Sequence, residues 1–210
     1  MNIDHPIFEK SIRLIKAELG NTGLESLETQ VLERLIHTTG DFTIKSLLRF
    51  SAGACDSALL ALKEGAQILT DTTMAASAVM PMANRTLNTK VSCVLQWAPQ
   101  FCPEDSTRTA MGMKKAWEEL SQQKSNLISP IVLIGSSPTA LNVLLDLIDN
   151  GECAPSLIIG MPVGFVGVLE SKSRLESSQL PQITIAGSRG GAAMAAASIN
   201  AILRASILSK

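Results

Sequence analysis

The chain lacks tyrosine altogether and has two tryptophans, five phenylalanines and two histidines in 210 residues. An aromatic share of 3% leaves aliphatic side chains and alanine to fill the core. With His5 and His37 as the only imidazoles, a histidine-rich metal site is excluded by count. Cys55, Cys93, Cys102 and Cys153 are scattered, with no C-x-x-C and no histidine at ligand spacing. Neither a zinc site nor a disulfide framework is indicated, and they read as small buried hydrophobes rather than redox groups. Charge of one sign is also missing: 18 Lys and Arg stand against 19 Asp and Glu, with no basic run to track a phosphate backbone, so nucleic acid is not an expected partner. No stretch approaches the roughly 18 apolar residues of a membrane span, and MNIDHPIFEK has neither the basic start nor the apolar core of a signal peptide. The chain reads as a cytoplasmic, soluble protein with no membrane partner.

What is present is 46% hydrophobic residues in patterned segments, enough for one domain over residues 1–210. In DHPIFEKSIRLIKAELG, Phe8, Ile12, Ile15 and Leu19 repeat at helical spacing, with Pro6 near the start and Gly20 as a stop. A second helix opens at Thr22, which can form a capping box with Glu25, and carries Leu24, Leu27, Val31 and Leu35 to His37, with Gly40 as a left-handed cap. A third opens at Ser51 and closes at Gly65. Short apolar runs then alternate with helical stretches: strands at 66–71, 92–97, 130–136, 156–162 and 182–187, helices at 106–120, 138–149, 165–178 and 190–207. Most of the strands are continuously apolar, as strands covered on both faces are. The expectation is a three-layer α/β/α fold with a mostly parallel sheet of about five strands. The helices of residues 4–64 precede this sheet part at 65–208 and pack on it.

Ligands of such sheets bind beyond the carboxyl ends of the strands, which selects the loops TDTTM, GSSPTAL, GMPVGFVG and GSRGGAAM. In GSSPTAL, Ser137 can cap the following helix and Pro138 suits its first position, leaving free N–H groups for a carboxylate or phosphate, or a capped helix and nothing more. Gly160, Gly164 and Gly167 do not match the dinucleotide spacing G-x-G-x-x-G. Gly187, Gly190 and Gly191 permit close backbone approach, and Arg189 could clamp an acidic group.

His37 falls at a helix carboxyl terminus, whose partial negative charge favours imidazolium and raises its pKa; Asp41 would push the same way. Such a histidine can donate a proton near neutral pH. With no serine or cysteine in a nucleophile motif beside it, acid catalysis without covalent attachment is the enzymatic reading. A solvated capping histidine is the alternative.

The segments EKSIRLIKAE, RLIHTTGD, LRFSAGA, NRT, GSSPTAL, GMPVGFVGVLESK and GSRGGAAMAAASINA, in that order, resemble the precorrin-8X methylmutase family over nearly the whole chain. The resemblance implies a 1,5-sigmatropic shift of a methyl group from C11 to C12 of a contracted tetrapyrrole, giving hydrogenobyrinate or its cobalt counterpart, with no separate cofactor and no metal site. It implies that His37 is the acid that protonates the macrocycle. Ser11 matches a serine facing the substrate, Arg108 in STRTA an arginine, and Arg189 one basic residue of the Gly-rich turn. Hydrogen bonding falls to Ser11 and carboxylate pairing to the two arginines. Ser137, Thr139, the amides of Val163, Gly164 and Phe165, and Gly190 are further substrate contacts in this reading. The family's homodimer is implied as well. Ser188 stands where the family commonly has a second basic residue, and Met80 where it often has threonine. The simpler alternatives are a boundary serine at 11 and an Arg108 paired with Glu104 or Asp105 at the surface. A non-catalytic corrinoid-binding or product-carrier protein is the competing function. An unrelated nucleotide-binding enzyme lacks its fingerprint.

Overall fold

The continuous apolar runs form the middle of a six-stranded sheet. The computed structural model describes residues 4–122 and 128–208; positions 1–3, 123–127 and 209–210 of the expected domain lie outside the described residues. The strands are β1 (Leu48–Phe50), β2 (Ile68–Thr70), β3 (Val91–Cys93), β4 (Ile131–Ile134), β5 (Leu157–Gly160) and β6 (Gln182–Ile185). Their order is β1-β6-β5-β4-β2-β3, and all pair in parallel except β1, which runs antiparallel to β6. The helices are α1 (Pro6–Leu19), α2 (Ser26–Thr39), α3 (Ile44–Leu47), α4 (Ala54–Lys63), α5 (Thr73–Arg85), α6 (Arg108–Gln122), α7 (Pro138–Asp149), α8 (Val168–Glu176) and α9 (Ala192–Leu208).

Successive residues of a strand face opposite ways. In β4, Ile131 and Leu133 join the core under α2, α4, α5 and α9, whereas Val132 and Ile134 join the one under α6, α7 and α8. All four are buried, which is why this run shows no polar alternation. α9 is buried along almost its whole length, and its alanines let α2 and α5 pack closely against it. α1 in turn packs on α2, with Ile15 and Leu19 of its apolar stripe buried.

The structure corrects the expected elements in several places. β1 was not anticipated, because a three-residue antiparallel edge strand leaves no apolar run. α5, absent from the expected helices, carries Pro81 in its interior and supplies the crossover that a parallel β2–β3 pair requires. The run 92–97 ends in a 3₁₀ turn at Val94–Gln96. The capping box of α2 is formed by Glu25 and Glu28, one turn later than Thr22, whose hydroxyl accepts from Leu24 N–H instead. Ser51 does not open α4; its N–H bonds to Gln182 O and extends the β1–β6 pairing. Cys55 and Cys93 are buried as expected, but Cys102 and Cys153 are exposed.

Candidate active site

His37 lies in the last turn of α2, and Gly40 ends the helix in the left-handed conformation, φ 66° and ψ 20°. The other histidine, His5, is spent on the N-cap of α1, its Nδ1 accepting from Ile7 N–H. α1 brings Ser11 Oγ to 2.8 Å from His37 Nδ1 and sets the Phe8 ring edge-on to the imidazole, centroids 5.0 Å apart. A hydroxyl can donate to a neutral Nδ1 or accept from a protonated one, so Ser11 holds the ring in either charge state. The side chain is exposed, and its second nitrogen, Nε2, is the atom left for a ligand.

The expected upward pKa shift is not what this environment produces. Partial burial and the positive charge of Arg34 push the His37 pKa down, burial being the larger cause. Arg34 lies over the Phe8 ring at 4.7 Å, and Arg204, ion-paired with Asp4, lies over it at 5.6 Å. Asp41 was expected to favour the imidazolium, but its carboxylate is engaged elsewhere. Oδ1 accepts from Thr43 N–H and Oγ1–H, and Oδ2 pairs with Arg189. Those Thr43 bonds, and then Arg189, hold the Asp41 pKa low. Arg189 also donates to Thr43 Oγ1 at 2.7 Å. The arginine expected to clamp a ligand is therefore latched to Asp41 and Thr43, which ties the Gly-rich turn to the segment just past α2.

The loops beyond β4, β5 and β6 are interleaved. Val163 N–H donates to Gly135 O, Gly164 N–H to Ser188 O and Gly191 N–H to Met161 O. Gly190 is required by the closest approach: a Cβ there would lie 2.0 Å from Met161 O. Two of the three amides proposed to hold carboxylates, Val163 and Gly164, are thus already bonded. What this loop offers outward is apolar: Phe165 is 95% and Val166 88% exposed.

The start of α7 carries a second correction. Buried Asp71, just past β2, accepts the N–H groups of Gly135, Ser136 and Ser137 on one oxygen at 3.0, 2.6 and 2.9 Å. The amides leading into α7, Ser137 among them, are thus taken from within the protein, and of those inside the helix Ala140 N–H is capped by Ser137 Oγ. Burial pushes the Asp71 pKa up and these amides pull it down, with burial the stronger. Ser137 Oγ accepts from Ala140 N–H and also bonds Thr109 and Thr139, and Thr139 bonds Thr107. Thr139 and Thr107 bring the starts of α6 and α7 together. Arg108 at the first position of α6 is exposed and donates to Pro99 O; among the described residues it forms no ion pair with Glu104 or Asp105. The structure pairs Ser11 with His37, Arg189 with Asp41, and Ser137 with Thr139, while the Arg108 side chain bonds only Pro99 O among the described residues. The sequence reading missed Asp71, Lys172 and Arg34. The first was visible as an acid ending an apolar strand, the others only as charges inside GMPVGFVGVLESK and RLIHTTGD. Among the described residues no three His, Cys, Asp or Glu side chains converge as metal ligands, and no helix is long and apolar enough to cross a membrane.

Fold and side chains define a three-layer α/β protein with one serine-held, exposed histidine at a helix end. Comparison with known proteins narrows this. The profile of the CbiC family, precorrin-8X methylmutase, matches residues 6–205, and the chain belongs to that family. It is 39% identical to a precorrin-8X methylmutase of Pseudomonas aeruginosa over 93% of each chain. It is 33% identical to a cobalt-precorrin-8 methylmutase of Synechocystis over 96% of this chain and 95% of the relative. The solved precorrin-8x methyl mutase of Thermus thermophilus superposes with a TM-score of 0.83 at 36% identity, covering 97% of this chain and 96% of that one.

Proposed function

We propose that this protein is an isomerase of cobalamin biosynthesis that moves a methyl group from C11 to C12 of precorrin-8X, giving hydrogenobyrinate, or acts likewise on the cobalt form. The names of its relatives include both forms. His37 is the acid: its Nε2 protonates the macrocycle and favours the tautomer in which the methyl group migrates. The observation that carries this reading is the 2.8 Å Ser11–His37 contact at an exposed helix end. It orients the ring and leaves one nitrogen for the substrate. In the free protein, burial and Arg34 disfavour the imidazolium. A tetrapyrrole bearing acetate and propionate groups brings negative charge beside both cations, so binding raises the His37 pKa and draws a proton to the site where it is used.

The rest of the site serves binding. Arg189 exchanges Asp41 for a substrate carboxylate, Arg108 takes another, and the exposed Val163, Phe165 and Val166 side chains lie against the ring. The Phe165 amide, Thr139 and the backbone at Gly190 complete the contacts. Residues 1–210 act as one domain in the cytoplasm, as a homodimer; sedimentation as a monomer across the working concentration range refutes the dimer. Incubation with precorrin-8X, followed by absorption and mass, tests the function. A spectral change at constant pigment mass supports isomerisation. Tight binding without conversion of either metal state identifies a corrinoid carrier instead.

A further inference from the structure

Lys172 is a buried charge without a buried counter-charge. It is 3% exposed on α8, and among the described residues no carboxylate lies at ion-pair distance from it. Its Nζ donates instead to the carbonyl oxygens of Gly187 at 2.8 Å and Arg189 at 2.5 Å. Between them, the carbonyl of Ser188 accepts from Gly164 N–H. Three successive carbonyls of the turn are therefore drawn inward. In a trans peptide the N–H points opposite to the carbonyl of the same plane, so the N–H groups of Ser188, Arg189 and Gly190 are turned the other way. Arg189 N–H faces Ala186 O across the turn at Gly187–Ser188, whereas neither Ser188 N–H nor Gly190 N–H donates to a backbone acceptor among the described residues. The Arg189 side chain leaves this same segment to reach Asp41 and Thr43.

We propose that Lys172 is a positioning residue, whose ammonium fixes the backbone of the Gly187–Gly191 turn so that Arg189 and the turn's amides are presented to the substrate's carboxylates. The inference rests on the methylmutase reading. An apolar side chain of similar length would fill the space but leave the Gly187 and Arg189 carbonyls buried without donors, and the turn free to rotate its peptides. Burial lowers the Lys172 pKa to about 8, against Glu176 one turn along α8, which raises it. The other charge at hand, Arg189, has its guanidinium on Asp41. Deprotonation weakens the two bonds to carbonyls by removing their charge assistance.

The test compares wild type, Lys172→Arg and Lys172→Met in conversion of precorrin-8X between pH 7 and 9.5, with amide hydrogen exchange of residues 186–191 on the same preparations. For Lys172→Met we expect kcat within about threefold of wild type, KM raised about tenfold or more, and faster exchange in the turn; arginine restores most of both. Wild-type KM rises as the pH passes through about 8, and the arginine variant loses that rise. Unchanged KM and exchange in a folded Lys172→Met overturn the proposal, as does a matched loss of kcat and kcat/KM at constant KM. If the methionine variant does not fold, a wild-type KM flat with pH overturns it. If wild type converts nothing, the methylmutase reading fails, and the exchange comparison alone decides whether Lys172 orders the turn.

Discussion

Alanine at Gly190 and alanine at Gly187 separate close backbone approach from mere backbone freedom. Both glycines have positive φ, 155° and 77°. A Cβ at Gly187 meets nothing within 4 Å, so its cost is the left-handed penalty alone, about 1–2 kcal/mol. A Cβ at Gly190 would lie 2.0 Å from Met161 O, 2.8 Å from Met161 C and 3.0 Å from Pro162 C. These are backbone atoms at the end of β5 and cannot rotate away. To reach ordinary contact at 3.4 Å or more from Met161 O the turn must retreat by about 1.4 Å. The atom it retreats from, Met161 O, is the acceptor for Gly191 N–H. Overpacking of ~1–3 kcal/mol and a lost hydrogen bond of ~1 kcal/mol add to the backbone penalty, for a total of about 4 kcal/mol. Urea unfolding at neutral pH measures both variants, read as a change in midpoint at constant m-value. Losses equal within about 0.5 kcal/mol, the usual scatter for independent sites, refute the close approach as the reason for glycine at 190.

Other perturbations follow from the same contacts. Arg34→Gln removes one of the two influences that lower the His37 pKa. The His37 titration therefore moves to higher pH, as does the alkaline fall in turnover, since an acid is lost as pH rises through its pKa. With two histidines in the chain, proton NMR of the imidazoles against a His5 variant reads this directly, and an unchanged or lowered midpoint contradicts it. Asp71→Asn replaces three charge-assisted bonds from Gly135, Ser136 and Ser137 by neutral ones and buries an unmatched amide N–H. It lowers stability by about 2–3 kcal/mol; a variant as stable as wild type shows that this carboxylate does not hold the α7 turn.

Much of this molecule was legible before its structure. Continuous apolar runs such as PIVLIGS stated that a strand is covered on both sides, and Gly40 after RLIHTT stated where α2 ends. What could not be read was the partner of each polar group. Free amides at GSSPT are a fair inference from local sequence, yet Asp71, over sixty positions away, takes those of Gly135, Ser136 and Ser137. Asp41 is near His37 along the chain and would favour its charge, yet Arg189 and Thr43 take it. Conversely, α1 delivers Ser11 and Phe8 to His37 because its Ile15 and Leu19 pack in the core, a consequence of burial rather than of any motif. β1 and α5 escaped notice for a different reason: a three-residue edge strand and a helix containing proline contradict the local rules, and tertiary packing overrides them.

The role of His37 is tested most directly by precorrin-8X turnover by wild type and His37→Ala, with binding measured separately. Expected are conversion at constant mass by wild type, a fall in kcat of roughly 10²–10⁴-fold in the variant, and substrate binding by both. Turnover in His37→Ala within a few-fold of wild type contradicts a role for His37 as the acid.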